Sequence, residues 1–152
     1  MKNHVKTKTG LSERDEEMCI DVFRNVMRVR HLMHNMASRV ADSAGLHAAE
    51  MNVIDILGKF GPVSMGRLAH ETFISPANTT STVKKLEQAR LVKREQSENS
   101  RREVTVRLTA GGRAVFKKCY PRILADVHAH LASRLSPPEM AKLAGILGKL
   151  VV

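Results

Sequence analysis

Apolar residues recur at steps of three and four along most of this chain. Met18, Val22, Val26, Val29, Met33, Met36 and Val40 form the longest series, which predicts one amphipathic helix from Ser12 to about Ser43. Ser12 supplies an N-cap, and Glu13, Asp15, Glu16 and Glu17 suit the positive end of the helix dipole. Gly45 ends the run. A stripe this long exceeds what a small domain can cover, so part of it is expected against another subunit.

Shorter helices follow. Leu46–Lys59 places Met51, Ile54 and Leu57 inward, and Gly61-Pro62 makes a turn. Ser64 caps a third helix carrying Leu68 and Ala69. Ser75-Pro76 opens a fourth, which runs to about Ala89 with Val83 and Leu86 inward. A Ser N-cap followed by Pro at the first helical position is a strong start signal. The period then changes to two. Leu91–Glu95 and Val104–Leu108 alternate apolar with polar residues, and the polar stretch from Gln96 to Arg102 joins them, which predicts a two-stranded hairpin with a basic tip. Thr109 caps a fifth helix through Val115, Phe116, Ile123, Leu124, Val127 and Leu131, which Pro121 is expected to kink or break. Ser136-Pro137 starts a last helix with Met140, Leu143, Leu147 and Leu150.

The expected fold class is therefore mostly α with a small β-hairpin, a winged helix-turn-helix plus long dimerisation helices. Residues 1–11 read as a mobile basic tail. Residues 12–45 and 110–152 form the helical dimerisation region, and 46–109 the DNA-binding domain.

Charge sharpens this picture. The 152 residues carry 25 Lys+Arg against 15 Asp+Glu, a formal net charge of +10, which favours a polyanionic partner, nucleic acid before membrane. Part of the excess is local. Lys84, Lys85, Arg90, Lys93, Arg94, Arg101, Arg102 and Arg107 face only Glu87, Glu95, Glu98 and Glu103 between positions 84 and 107. Aromatics are 3% with no Trp, which argues against a single-strand reader built on stacking platforms. No apolar segment reaches the length of a membrane span and no apolar signal region follows the first lysines, so a cytoplasmic location is expected. The histidines and two cysteines show no metal-ligand spacing, and no nucleophile–base set or phosphate-binding glycine loop is present. We expect no enzyme activity, no metal and no cofactor.

The fourth helix is narrow enough for the major groove of B-DNA. With Val83 and Leu86 inward, Ala77, Thr80, Ser81 and Lys84 face roughly the other way. The candidate DNA-binding residues are Ser75, Pro76, Ala77, Thr80, Ser81, Lys84, Lys85, Arg101 and Arg102. The first two bring helix N-terminal amides toward a phosphate, and the two arginines lie at the hairpin tip, where a minor groove attracts guanidinium.

The segments VSMGRLAHETFISPANTTSTVKKLEQARLVKRE and SRREVTVRLTAGG resemble the multiple antibiotic resistance regulator (MarR) family. Arg102, Val106, Leu108, Thr109 and Gly112 occupy the places of the family's wing motif. Ser100 stands where the family usually has Asp, and Arg90 where it often has Gly. The resemblance implies a homodimeric regulator, usually a repressor, on a pseudo-palindromic operator. It also implies a small-molecule cleft between the dimerisation helices and the DNA head. Arg30, His31, His34 and Ser38 on the first helix are the candidate lining, and Arg with His would suit an aromatic acid. Some members sense peroxides through a first-helix cysteine, so the alternative is a thiol-based sensor using Cys19 and Cys119. A non-specific architectural DNA binder would explain the charge but not the Ser-Pro helix.

Overall fold

The structure is a computed structural model that describes residues 9–97 and 100–151, without the side chains of 97 and 100–103. Most of the expected basic tail, residues 1–8, therefore lies outside the described residues. The element order is α1 (Glu13–Asp42), α2 (Ala48–Phe60), β1 (Val63–Ser64), α3 (Met65–Thr72), α4 (Pro76–Gln88), β2 (Val92–Ser97), β3 (Ser100–Leu108), α5 (Ala110–Ala132) and α6 (Pro137–Gly148). The chain divides into two compact units, Met1–Met33 and His34–Val152.

In the first unit α1 is helical from Glu13 onward. Ser12 Oγ accepts the Asp15 amide at 3.2 Å, as an N-cap should. Its apolar stripe is largely exposed: Met18, Val22, Phe23, Val26 and Val29 all face solvent.

The second unit holds the core. α1 ends there with Gly45 at φ 71 while the Leu46 amide reaches back to Ala41 O at 3.0 Å, closing the helix end on a left-handed glycine. α2 then starts at Ala48, two residues later than the apolar pattern indicates, because the His47 amide takes a hydrogen bond to Glu50 Oε2 (2.9 Å). Val53, Ile54, Leu57, Leu68, Val83, Leu86, Val92, Val106 and Leu108 make one buried cluster from α2, α3, α4 and the sheet. Each such side chain contributes roughly 1.5–3 kcal/mol by leaving water.

Two further points differ from the sequence expectation. The sheet has three strands, ordered β1-β3-β2. Val63 and Ser64 pair antiparallel with Val106 and Thr105. A two-residue strand is too short to show alternation, but Val63 is buried by the pairing. Pro121 does not break α5, which runs unbroken from Ala110 to Ala132. The ring is exposed, and one missing N–H is tolerated in a helix that packs through Cys119 and Ile123. α6 buries none of its residues within this chain, and Leu143, Ile146, Leu147 and Leu150 are exposed. Among the described residues no helix is long and apolar enough to cross a membrane.

Candidate nucleic-acid interface

The Ser75-Pro76 start behaves as its chemistry requires. Ser75 Oγ accepts the Asn78 amide at 3.3 Å, and the Thr79 amide bonds Ser75 O at 2.8 Å. Pro76 sits at the first helical position, where its missing N–H leaves nothing unpaired. Val83 and Leu86 are buried to 1% or less. The opposite face carries Ala77, Thr80, Ser81, Lys84 and Lys85, all exposed. Asn78 is exposed beside them, and apolar periodicity does not single it out. Its amide is the side chain best suited to pair with adenine.

The threonines on α4 do different jobs. Thr79 and Thr82 are buried, with hydroxyls donating to Ser75 O (3.0 Å) and Asn78 O (2.8 Å). Their methyls pack while the polar atoms stay satisfied. Thr80 is exposed and donates to Pro76 O at 2.9 Å. It therefore presents a methyl group and an accepting oxygen, a surface suited to a thymine methyl.

Two positions before and after α4 have left-handed backbone without being glycine: Phe73 (φ 55) and Arg90 (φ 57). Phe73 caps the end of α3 and is 82% exposed. Arg90 follows α4, its amide bonded to Glu87 O at 2.9 Å and its carbonyl accepting the Thr109 hydroxyl at 2.7 Å. A local hydrogen bond on one side and a tertiary one from Thr109 on the other hold this conformation against its intrinsic cost.

The wing joins α4 through Glu87. That carboxylate accepts the Arg94 amide at 3.3 Å and pairs with Arg94 Nε at 3.4 Å. β2 and β3 pair with Lys93 opposite Arg107 and Glu95 opposite Thr105, and the register shifts between Gln96 and Ser97. Glu95 bonds Lys93 and pairs with Arg107 Nε at 3.1 Å. These cations hold its carboxyl below the usual carboxylate range, the Lys93 bond first. Arg101 and Arg102 lie on β3 near the tip, and their side chains fall outside the described residues.

The other sequence candidates lie on α1 and α5. On α1, Arg30, His31 and His34 are exposed and Ser38 is half-buried. Cys19 is exposed, whereas Cys119 is fully buried in the core cluster. A pocket that sequence reasoning missed lies at the base of the wing, lined by residues of α2, β3 and the start of α5. Its lining is scattered between positions 57 and 117, so no local motif marks it.

Residues 44–103 match the family model described as MarR family. The curated relatives include the HTH-type transcriptional regulator MgrA of Staphylococcus aureus. It is 26% identical over 136 residues, covering 90% of this chain and 88% of the relative. Among solved structures the fold is similar to NadR in complex with 4-hydroxyphenylacetate, with TM-score 0.78, 20% identity, and 96% and 97% of the two chains covered. It is likewise similar to a mutant MarR from E. coli complexed with operator DNA, with TM-score 0.77, 22% identity, and 89% and 96% covered.

Proposed function

We propose, from the premise that the chain belongs to the MarR family through its winged-helix segment, residues 44–103, that it is a sequence-specific regulator of transcription. In this reading it is a homodimeric repressor on a pseudo-palindromic operator, released by a small aromatic acid. The observation that carries the reading is the two-sided α4. One face is locked in the core by Val83 and Leu86. The other offers Ala77, Asn78, Thr80, Ser81 and Lys84 to a groove.

Thr80, Ser81 and Asn78 would read base edges. The capped start at Ser75 and Pro76, with Lys84 and Lys85, would hold phosphates. Arg102 would enter the minor groove beside the half-site, and Arg101 would touch backbone. The apolar residues left exposed on α1 and α6 support dimerisation through 12–45 and 110–152, leaving 46–109 as the DNA head. An aromatic acid is the effector class because the structural neighbour NadR holds 4-hydroxyphenylacetate. Arg30, His31, His34 and Ser38 are the α1 residues offered to it.

Selection of fragments from a random DNA pool by the purified protein tests this. The expected result is one enriched palindromic motif bound about 10³-fold or more above random DNA at fixed salt. Equal affinity for all duplexes would leave a charge-driven, non-specific binder instead. The exposure of Cys19 supports a second reading, a peroxide-sensing repressor. In it Cys19 reacts and Cys119, with no solvent access, takes part only after local opening.

A further inference from the structure

The turn between α3 and α4 carries a residue whose type the fold does not require. Phe73 caps α3 in the left-handed conformation, with φ 55 and ψ 29. Glycine adopts that conformation freely, and a residue with a Cβ adopts it at a cost. The turn is held in this shape from both sides. Thr72 before it is buried, its hydroxyl donating to Leu68 O at 2.7 Å and its carbonyl accepting Asn52 Nδ2 from α2 at 3.1 Å. The Phe73 amide donates to His70 O at 3.2 Å, and Ile74 after it is half-buried. None of these bonds uses the Phe73 side chain. At 82% exposed it is the barest large apolar side chain among the described residues. Its aromatic neighbour there is the His70 ring, 6.5 Å away between centroids.

A left-handed backbone that presents a bare ring to water costs stability twice and gains little within the chain. Such a residue is explained when the ring becomes covered in a complex. Its position says by what. Phe73 lies two residues before Ser75, the N-cap of α4, and the chain from Ser75 to Asn78 is exposed. Two Cα steps span at most about 7 Å, so the ring stands beside the amides that, in the reading above, hold a phosphate. A bound phosphate brings its own deoxyribose with it, and the sugar is the least polar part of the DNA backbone. We propose that the Phe73 ring packs on the deoxyribose next to the phosphate held at the start of α4. This is a backbone contact without charge and without a base edge. It rests on the duplex binding proposed above, not on sequence specificity.

Fluorescence anisotropy tests it on the full chain with the most enriched duplex from the fragment selection and with a random duplex, across a range of salt concentrations. Phe73→Gly and Phe73→Asn keep a residue that accepts the left-handed turn and remove the ring, whereas Phe73→Tyr keeps the ring. The two ring-free variants should bind both duplexes about five- to tenfold more weakly, the effect of one partly covered ring. The slope of log affinity against log salt should stay at its wild-type value, because no cation is removed. Lys84→Ala is the contrast, with a slope smaller in magnitude by about one. Phe73→Tyr should bind within about twofold of wild type. The melting temperature of Phe73→Gly should hold or rise, since the turn is relieved of strain. Wild-type affinity in Phe73→Gly would overturn the proposal, as would a loss in Phe73→Tyr equal to that in Phe73→Gly. A loss confined to the enriched duplex would make Phe73 a residue that only positions α4, and a changed salt slope would make the contact electrostatic; either overturns it. So would a lower melting temperature in both ring-free variants, which would place the ring in the stability of the fold. No duplex binding by the wild type would remove the DNA reading itself, and this contact with it.

Discussion

Two adjacent glycines at the start of α5 should respond in opposite directions to the same substitution. A Cβ on Gly112 would sit 2.0 Å from the Leu91 carbonyl oxygen and 3.1 Å from Leu108 Cδ2, whereas one on Gly111 would meet nothing nearer than 3.6 Å. The Leu91 carbonyl cannot yield cheaply, because it accepts the Thr109 amide (3.0 Å) and shares the Thr109 hydroxyl (3.1 Å) with Arg90 O (2.7 Å). Thr109 Oγ1 in turn accepts the Gly112 amide at 3.1 Å. Gly112→Ala must push this backbone oxygen away or break the helix start. Overpacking of about 1–3 kcal/mol plus about 1 kcal/mol for a disrupted hydrogen bond predicts a loss of about 2–4 kcal/mol. At this chain length that is roughly 5–15 °C in melting temperature. Gly111→Ala should instead gain up to about 1 kcal/mol, since alanine loses less backbone entropy than glycine in a helix. Urea titrations at one protein concentration, so that self-association does not confound the midpoints, measure both. Equal midpoints for the two variants would refute the close approach of α5 to the chain just before β2.

Three further outcomes follow from the geometry. Ser81→Ala should reduce discrimination between operator and random DNA more than it reduces random binding, whereas Lys84→Ala should weaken both alike; competition assays separate the two, and the reverse pattern would exchange their roles. Burial raises the Asp55 carboxyl from 3.8 to about 6, and its Oδ1 has no hydrogen-bond partner among the described residues. The native state therefore holds a proton that the unfolded chain releases, so stability falls as pH rises from about 4 to about 6. Asp55→Asn should be more stable than wild type at pH 8 and equal to it near pH 4, and a pH-independent difference in urea midpoints would contradict this. Cys19→Ser should leave operator binding and release by an aromatic acid intact; loss of a peroxide-dependent release in this variant would favour the redox reading.

The helical frame was legible because its boundaries are written in local chemistry. Ser12, Ser64, Ser75-Pro76, Thr109 and Ser136-Pro137 each mark a helix start that the structure shows. β1 was not legible, since two residues carry no period and Val63 becomes a strand only by pairing with Val106. The continuity of α5 through Pro121 was equally hidden, because it depends on packing at Cys119 and Ile123 rather than on the proline's own preference. At the candidate interface the exposed face of α4 followed directly from burying Val83 and Leu86. The role of Thr80 did not. Its hydroxyl is engaged with Pro76 O, a choice between backbone and solvent that sequence leaves open. The wing-base pocket assembles Leu57, Leu108 and Phe116 from three distant segments, so only the folded chain brings them together.

The ion pairs of the wing bear on how the protein would respond to salt. Glu95 sits against Lys93 and Arg107, and Glu87 against Arg94, so three of the cations between positions 84 and 107 already have an anionic neighbour. Such exposed pairs are individually weak, yet each acid stays beside its cation when a phosphate approaches and cancels part of the local field. Duplex binding releases about 0.9 condensed counterions per phosphate neutralised. Cations with no ion pair among the described residues dominate that release, and on α4 these are Lys84 and Lys85. Affinity for DNA should accordingly decline less steeply with ionic strength than the net charge of +10 suggests. In the proposed reading neutral groups on α4 carry discrimination among sequences, which should then survive at salt concentrations that strip away most random binding.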